Sequence, residues 1–206
     1  LLSRGLGDVY KRQDIAVSVY SGWLAYSTFD HEWVKQQMKE TSVEEVLEKN
    51  WPGLHIEPLQ APENMEVLIG WTGSPASSPH LVSEVKRLKS DPIFYGEFLD
   101  QSNTCVENLI YAFKTNNIKG VQKMIRQNRS IIQQMDKEAT VDIETKKLKL
   151  LCDIGERFGG AAKTSGAGGG DCGITIIDNR VDKPSIYEVW EKEGIKPLKF
   201  KIYHGQ

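Results

Sequence analysis

The chain has 206 residues, with 26 lysines and arginines against 28 aspartates and glutamates and a formal net charge of −2. That balance excludes nucleic acid as the main partner, because no basic excess exists to displace counterions, and no apolar run approaches the roughly 20 residues that span a bilayer. Hydrophobic residues make up 39% and charged residues 26%, a composition that buries a core, and the odd set Cys105, Cys152 and Cys172, without metal-ligand spacing, reads as reduced thiols of a cytosolic protein.

The sequence begins without methionine, and residues 1–13, LLSRGLGDVYKRQ, show neither helical nor strand periodicity nor a signal-peptide core. They are expected to be a lead-in unrelated to the rest. From Asp14 the pattern changes. IAVSVY and WLAY are β-branched and aromatic, which by propensity predicts two short strands, while Asp14, Ala16, Val17 and Tyr20 also fit a short helix. Residues 31–49 predict two short helices, the second capped by Thr41-Ser42 and ended by Trp51-Pro52-Gly53. EVLIGWT at 66–72 is a strand. A turn-rich linker follows, in which Ser78-Pro79 opens a helix to about residue 89.

The middle of the chain is helical. Cys105, Val106, Leu109, Ile110 and Phe113 make one apolar face, and Gly120 interrupts. Val121, Met124, Ile125, Ile131, Ile132 and Met135 make a second face. Leu148, Leu151, Ile154 and Phe158 make a third, stopped by Gly159-Gly160. All three are core stripes, whereas Glu144-Thr145-Lys146-Lys147 is a solvated helix face. GITIID at 173–178 is a strand, Pro184 to Glu193 a helix closed by Gly194, and LKFKIY at 198–203 a last alternating strand. This order predicts an α+β layer, with helices on one face of a mainly antiparallel sheet. His31, His55, His80 and His204 lack ligand spacing, so no metal site is expected from them.

The chemical signal is the run from Lys163 to Gly173, KTSGAGGGDCG, in which five of eleven residues are glycine. Each glycine loses much conformational entropy on ordering. The run therefore fits a place where backbone N–H groups converge on an anion, phosphate above all. A flexible hinge is the competing explanation, but the Lys, Asp and Cys at its ends are not linker composition. Gly168 to Gly173 formally matches G-x-G-x-x-G, yet that fingerprint needs a strand before and a helix after it. Here a helix is expected before and a strand after. The Walker A pattern fails as well, since Lys163-Thr164 precede the glycines.

Lys163-Thr164-Ser165-Gly166-Ala167-Gly168-Gly169-Gly170-Asp171-Cys172-Gly173 resembles the C-terminal glycine-rich motif of the GHMP kinases, the galactokinase, homoserine kinase, mevalonate kinase and phosphomevalonate kinase superfamily. Asp171, where most members carry another glycine, makes it similar to the bacterial phosphomevalonate kinases. Asp14 to Trp23 is similar to the family segment that follows its catalytic-region acid, and Val67 to Thr72 to the strand opening its C-terminal domain. The resemblance covers residues 14–206. It implies a remnant of the family's N-terminal domain at 14–64 and a ferredoxin-like C-terminal domain at 65–206. The family's G-L-G-S-S nucleotide segment is missing; Gly5-Leu6-Gly7 echoes it, but Asp8-Val9-Tyr10 replace the hydroxyl residues.

The resemblance further implies ATP and Mg²⁺ as cofactors and 5-phosphomevalonate as acceptor, in the cytoplasm. Asp14 matches the family acid, which would position the acceptor, Mg²⁺ or a lysine. Lys163 is a candidate counter-charge. Ser165, Gly166, Ala167, Gly168 and Gly169 would face the phosphoryl group, and Asp171 would tie the loop to a neighbour or face the acceptor. Alternatives are another member such as mevalonate kinase, or a phosphate-binding module without turnover. The chain alone is expected to be inactive.

Overall fold

The computed structural model describes residues 13–75, 91–139, 142–166 and 168–202. The lead-in before Gln13, the Ser78-Pro79 helix start and Ala167 lie outside the described residues. Two compact units are present, one of residues 13–60 with Ile202, the other of residues 61–201.

In the smaller unit, helix α1 (Gln13–Tyr20) precedes strand β1 (Trp23–Ser27). IAVSVY is thus helical, and only WLAY is a strand. The helix is stopped at Ser21 and Gly22, with φ +60° and +65°, and Ser18 Oγ donates to the Asp14 carbonyl. Helix α2 (His31–Glu40) is capped by the Asp30 carboxylate, which accepts from Glu32 N and Trp33 N. Helix α3 (Val43–Glu48) is capped by Ser42 Oγ, 3.2 Å from Glu45 N. Strand β2 (His55–Leu59), not anticipated, pairs antiparallel with β1. Its Glu57 and Pro58 weaken the strand signal.

The larger unit runs β3 (Met65–Trp71), α4 (Pro92–Lys114), α5 (Ile118–Ala139), α6 (Lys146–Arg157), β4 (Ala161–Thr164), β5 (Cys172–Asp178), α7 (Lys183–Lys192) and β6 (Lys196–Leu198). The four strands form one antiparallel sheet in the order β4-β5-β3-β6, with Leu68 opposite Thr175, Ala162 opposite Thr175 and Gly70 opposite Pro197. That strand order and connectivity are those of a ferredoxin-like sheet, with α4 to α6 in its first crossover. Leu68, Leu151, Ile154, Ala162, Ile177, Ile186, Trp190 and Ile195 share one buried cluster between the sheet and α6 and α7. A second cluster, with Phe98, Cys105, Met124, Ile131, Met135 and Ile143, closes α4 against α5.

Three details differ from the sequence expectation. The break between α4 and α5 falls at Thr115–Asn117, where Asn116 adopts φ +51° and Asn117 Oδ1 accepts from Gly120 N; Gly120 itself is helical. The final strand is Lys196–Leu198, paired with Ile69–Trp71 of β3; residues 199–202 of LKFKIY are not in the strand, and Tyr203 lies outside the described residues. Glu144 is buried, its side chain 4% exposed, because Arg129 pairs with it; Thr145 and Lys147 are half-buried and Lys146 is exposed.

Candidate functional site

Strand β4 places a strand before the glycine run, where a helix was expected, so the run is the connection of a β4–β5 hairpin. No helix follows it, and the dinucleotide pattern remains accidental. Ser165 N donates to Cys172 O at 3.0 Å and extends the ladder one step past Thr164. Beyond it, Gly168, Gly169, Gly170 and Asp171 all have positive φ, at +83°, +75°, +132° and +59°. Such a stretch is open to glycine and rarely to other residues.

Two further ties hold this backbone. Gly169 N donates to Ile143 O at 2.7 Å, from the short strap that joins α5 to α6. Asp171 N donates to Ser74 O at 2.7 Å, and Asp171 O accepts from both Thr72 N and Thr72 Oγ1 at 2.8 Å. Asp171 therefore ties the loop, through its backbone, to the segment just after β3, and the residue is otherwise exposed. Gly168 is fixed by its neighbour: a methyl built there would meet the Ile143 side chain and lie 2.5 Å from its carbonyl oxygen.

The ties sort the expected donors. The N–H groups of Ser165 and Gly169 are bonded within the fold, so Ser165 has its hydroxyl to offer and Gly169 acts as an anchor. The N–H groups of Gly166, Gly168 and Gly170 have no acceptor among the described residues. Gly168 and Gly170 are buried, where an unpaired N–H is costly, so an anion or water is the natural complement.

Lys163 lies inside, 2% exposed, on the side of β4 opposite Ala162 and the α6–α7 cluster. Its Nζ donates to Thr164 O at 2.6 Å, and among the described residues it makes no ion pair. Burial pulls its pKa down to about 8. The amine is thus enclosed within the fold, with the Cys152 and Cys105 thiols near enough to act on its charge. Cys172 is half-buried and its thiol is pushed up to about 11, by burial and then by the Asp171 carboxylate, so it is no activated nucleophile. Asp14 is exposed in the first turn of α1, in the smaller unit.

Sequence reasoning missed Ile143 as a partner of the loop. Its signal was a lone apolar residue between Asp142 and Glu144, too short to show a period. It also missed the buried cluster beside it: Arg129 reaches Glu144 at 2.5 Å, Asp153 at 2.6 Å and Glu156 at 3.1 Å. Burial alone would lower the Arg129 pKa, but the bonds to Glu144 and Asp153 reverse that and raise it. Among the described residues no three His, Cys, Asp or Glu side chains converge as a metal cage, and no helix is long and apolar enough to cross a membrane.

Comparison with known proteins places this geometry. Residues 109–196 match the family model for the GHMP kinases C terminal. The chain is 36% identical over 188 residues to the phosphomevalonate kinase of Streptomyces sp. strain CL190, an alignment covering 90% of this chain and 50% of that protein. A crystal structure of a Listeria innocua protein superposes with a TM-score of 0.86 at 39% identity, covering 95% of this chain and 56% of the other. Streptococcus pneumoniae phosphomevalonate kinase, in complex with phosphomevalonate and AMPPNP, superposes with a TM-score of 0.81 at 25% identity, covering 96% of this chain and 57% of the other. The chain spans about half the length of the relatives it matches.

Proposed function

We propose that this chain, whose residues 109–196 match the family model for the GHMP kinases C terminal, serves a phosphomevalonate kinase, which passes the γ-phosphoryl group of ATP to 5-phosphomevalonate in the mevalonate route to isoprenoids. The observation that carries this reading is the likeness to the Streptomyces phosphomevalonate kinase over 90% of the chain, a span that includes the glycine loop.

The acceptor sets the chemical problem. A phosphate monoester has its second pKa near 6, so its attacking oxygen is already largely deprotonated at neutral pH. Removing a proton is then a smaller task than for an alcohol acceptor. Bringing two anions together is the larger one: unit charges at 4 Å repel by about 1 kcal/mol in water and about 4 kcal/mol at an effective dielectric of 20. The loop answers this with N–H dipoles fixed before the ligand arrives. Gly166, Gly168 and Gly170 offer N–H groups without an acceptor among the described residues, and Ser165 a hydroxyl, while the ties to Cys172, Ile143 and Ser74 remove the need to reorganise. The loop fits a terminal phosphate of ATP or the phosphate of the acceptor equally well in chemical terms.

Mg²⁺ in such sites usually takes one or two carboxylates, with phosphate oxygens and water for the rest, and supplies charge neutralisation when bound. Asp14 is the residue of this chain we assign to that carboxylate or to orienting the acceptor. The free thiols of Cys105, Cys152 and Cys172 suit the reducing cytoplasm.

The test measures ADP release from ATP, Mg²⁺ and 5-phosphomevalonate, with mevalonate as the competing acceptor and binding of each compound followed by calorimetry. Binding of 5-phosphomevalonate in preference to mevalonate is expected, without turnover by this chain alone. Preference for mevalonate would move the assignment to another GHMP kinase, and failure to bind any phosphorylated compound would overturn it.

A further inference from the structure

The strap between α5 and α6 joins the glycine loop to a carboxylate that the proposed reaction does not use. Near the C-terminal end of α5, Asp136 accepts Ile143 N on Oδ1 at 2.7 Å and Glu144 N on Oδ2 at 2.9 Å. Both oxygens are engaged, and both donors belong to the strap. The next bond along the same residue runs outward: Ile143 O accepts Gly169 N at 2.7 Å. Ile143 is 1% exposed, with its side chain packed where a Gly168 Cβ would stand. One peptide group thus separates the Asp136 carboxylate from the loop, and the same residue fills the space beside Gly168.

The strap is held on its far side as well. Glu144 accepts from Arg129 Nε and from Gln133 Nε2 at 2.7 Å, and Thr145 Oγ1 caps α6 through Leu148 N. Asp136, Gln133 and Arg129 lie at i, i−3 and i−7 on α5, so a single helix face grips consecutive strap residues. This is more fixing than a helix connection needs, and it converges on Ile143, which touches the loop.

We propose that Asp136 is a positioning residue for phosphate binding: by orienting the Ile143 peptide it anchors Gly169 and thereby aims the N–H groups of Gly168 and Gly170, which have no acceptor among the described residues. This rests on the loop being the phosphate site. Losing the carboxylate would let the Ile143 carbonyl turn, and Gly169 would lose its acceptor while the sheet stayed paired.

The test uses residue-resolved amide hydrogen exchange by NMR on the chain carrying Asp136→Asn, with inorganic tripolyphosphate as the phosphate probe. Exchange at Gly169 should quicken by about tenfold or more while Thr175 and Ile177 in β5 keep their protection, and tripolyphosphate binding should weaken by a similar factor. Trp190→Phe, a core substitution on α7, serves as a control for general loosening and should leave Gly169 exchange in step with the sheet. If Asp136→Asn does not fold, Asp136→Glu, which keeps the charge but displaces it by one methylene, gives the same readout. Unchanged exchange at Gly169 in the folded variant, or an equal rise at Gly169 and in β5, would overturn the proposal. Failure of the unsubstituted chain to bind tripolyphosphate would instead overturn the phosphate reading beneath it, and is told apart because no substitution is involved.

Discussion

The Nζ of Lys163 donates to the carbonyl oxygen of Thr164, its neighbour on β4, at 2.6 Å, and burial lowers its pKa from the ordinary 10.5 to about 8. The sign of the consequence follows from proton counting. Between these values the unfolded chain holds the proton and the folded chain does not, so stability rises with pH through that window. Cys105 acts oppositely, since burial raises its thiol from 9.0 to about 11, and unfolding is favoured above its unfolded value. The Cys152 and Cys172 thiols are raised by burial too, so between pH 8 and 9 the three thiols together offset the lysine. The lysine's share is read from the difference between the parent and Lys163→Met in urea denaturation, which should move by about 1 kcal/mol in the parent's favour from pH 8 to pH 9. An unchanged difference would sink the argument.

Glycines of the loop should separate into two kinds. Gly168 has φ +83° and faces Ile143, so Gly168→Ala is strained in its backbone and crowded at its side chain. It should cost about 2–4 kcal/mol of stability and also weaken tripolyphosphate binding. Gly166 is exposed, and a Cβ there would meet nothing within 4 Å. Gly166→Ala should stay within about 0.5 kcal/mol of the parent in urea denaturation. Equal losses from the two substitutions would mean that the loop is not clamped by the strap.

The elements legible from sequence were those with a period or a punctuating residue. The three helical stripes, GITIID on β5 and the Gly194 stop after α7 all carry local signals of that sort. β4 carries none: Ala161, Ala162 and Lys163 are poor strand formers, and the strand exists because β5 pairs with it and the helices bury it. LKFKIY carries the right alternation, but a strand also needs a partner, and β3 provides one only to Leu198. The glycine run announced a phosphate-type loop through composition alone. Which of its N–H groups are bonded within the fold could not be seen, because that depends on Ile143, 26 residues from Gly169, and Ser74, 97 residues from Asp171. Lys163 was expected as a counter-charge at the loop; its burial had no local signal, since every residue of β4 is buried whichever way it faces.

Gly70 tests the packing of the sheet. It lies on β3 where a Cβ would come within 2.7 Å of Leu151 Cδ1 and 2.9 Å of Ile195 Cγ2, with the Trp190 ring close behind. Its absent side chain is what lets α6 and α7 settle on this part of the sheet. Gly70→Ala should destabilise by about 1–3 kcal/mol through overpacking. Pairing it with Leu151→Ala should recover part of that loss, since the methyl would enter the space vacated; additive losses would show that Leu151 is not the clashing group.

The Arg129 cluster gives the last prediction, because its partners are unequal. Glu144 is buried, with a side chain 4% exposed, whereas Asp153 and Glu156 are 44% and 30% exposed and can turn to water. Removing the guanidinium therefore orphans one carboxylate rather than three. Arg129→Met should cost about 3–5 kcal/mol, most of it the uncompensated charge of Glu144. Adding Glu144→Gln to that variant should cost far less than the same change made alone, since the charge it removes is already a liability. Urea denaturation of the two single variants and the double gives the coupling directly. If the double loses the full sum of the singles, Arg129 stabilises the strap through its packing and not through Glu144.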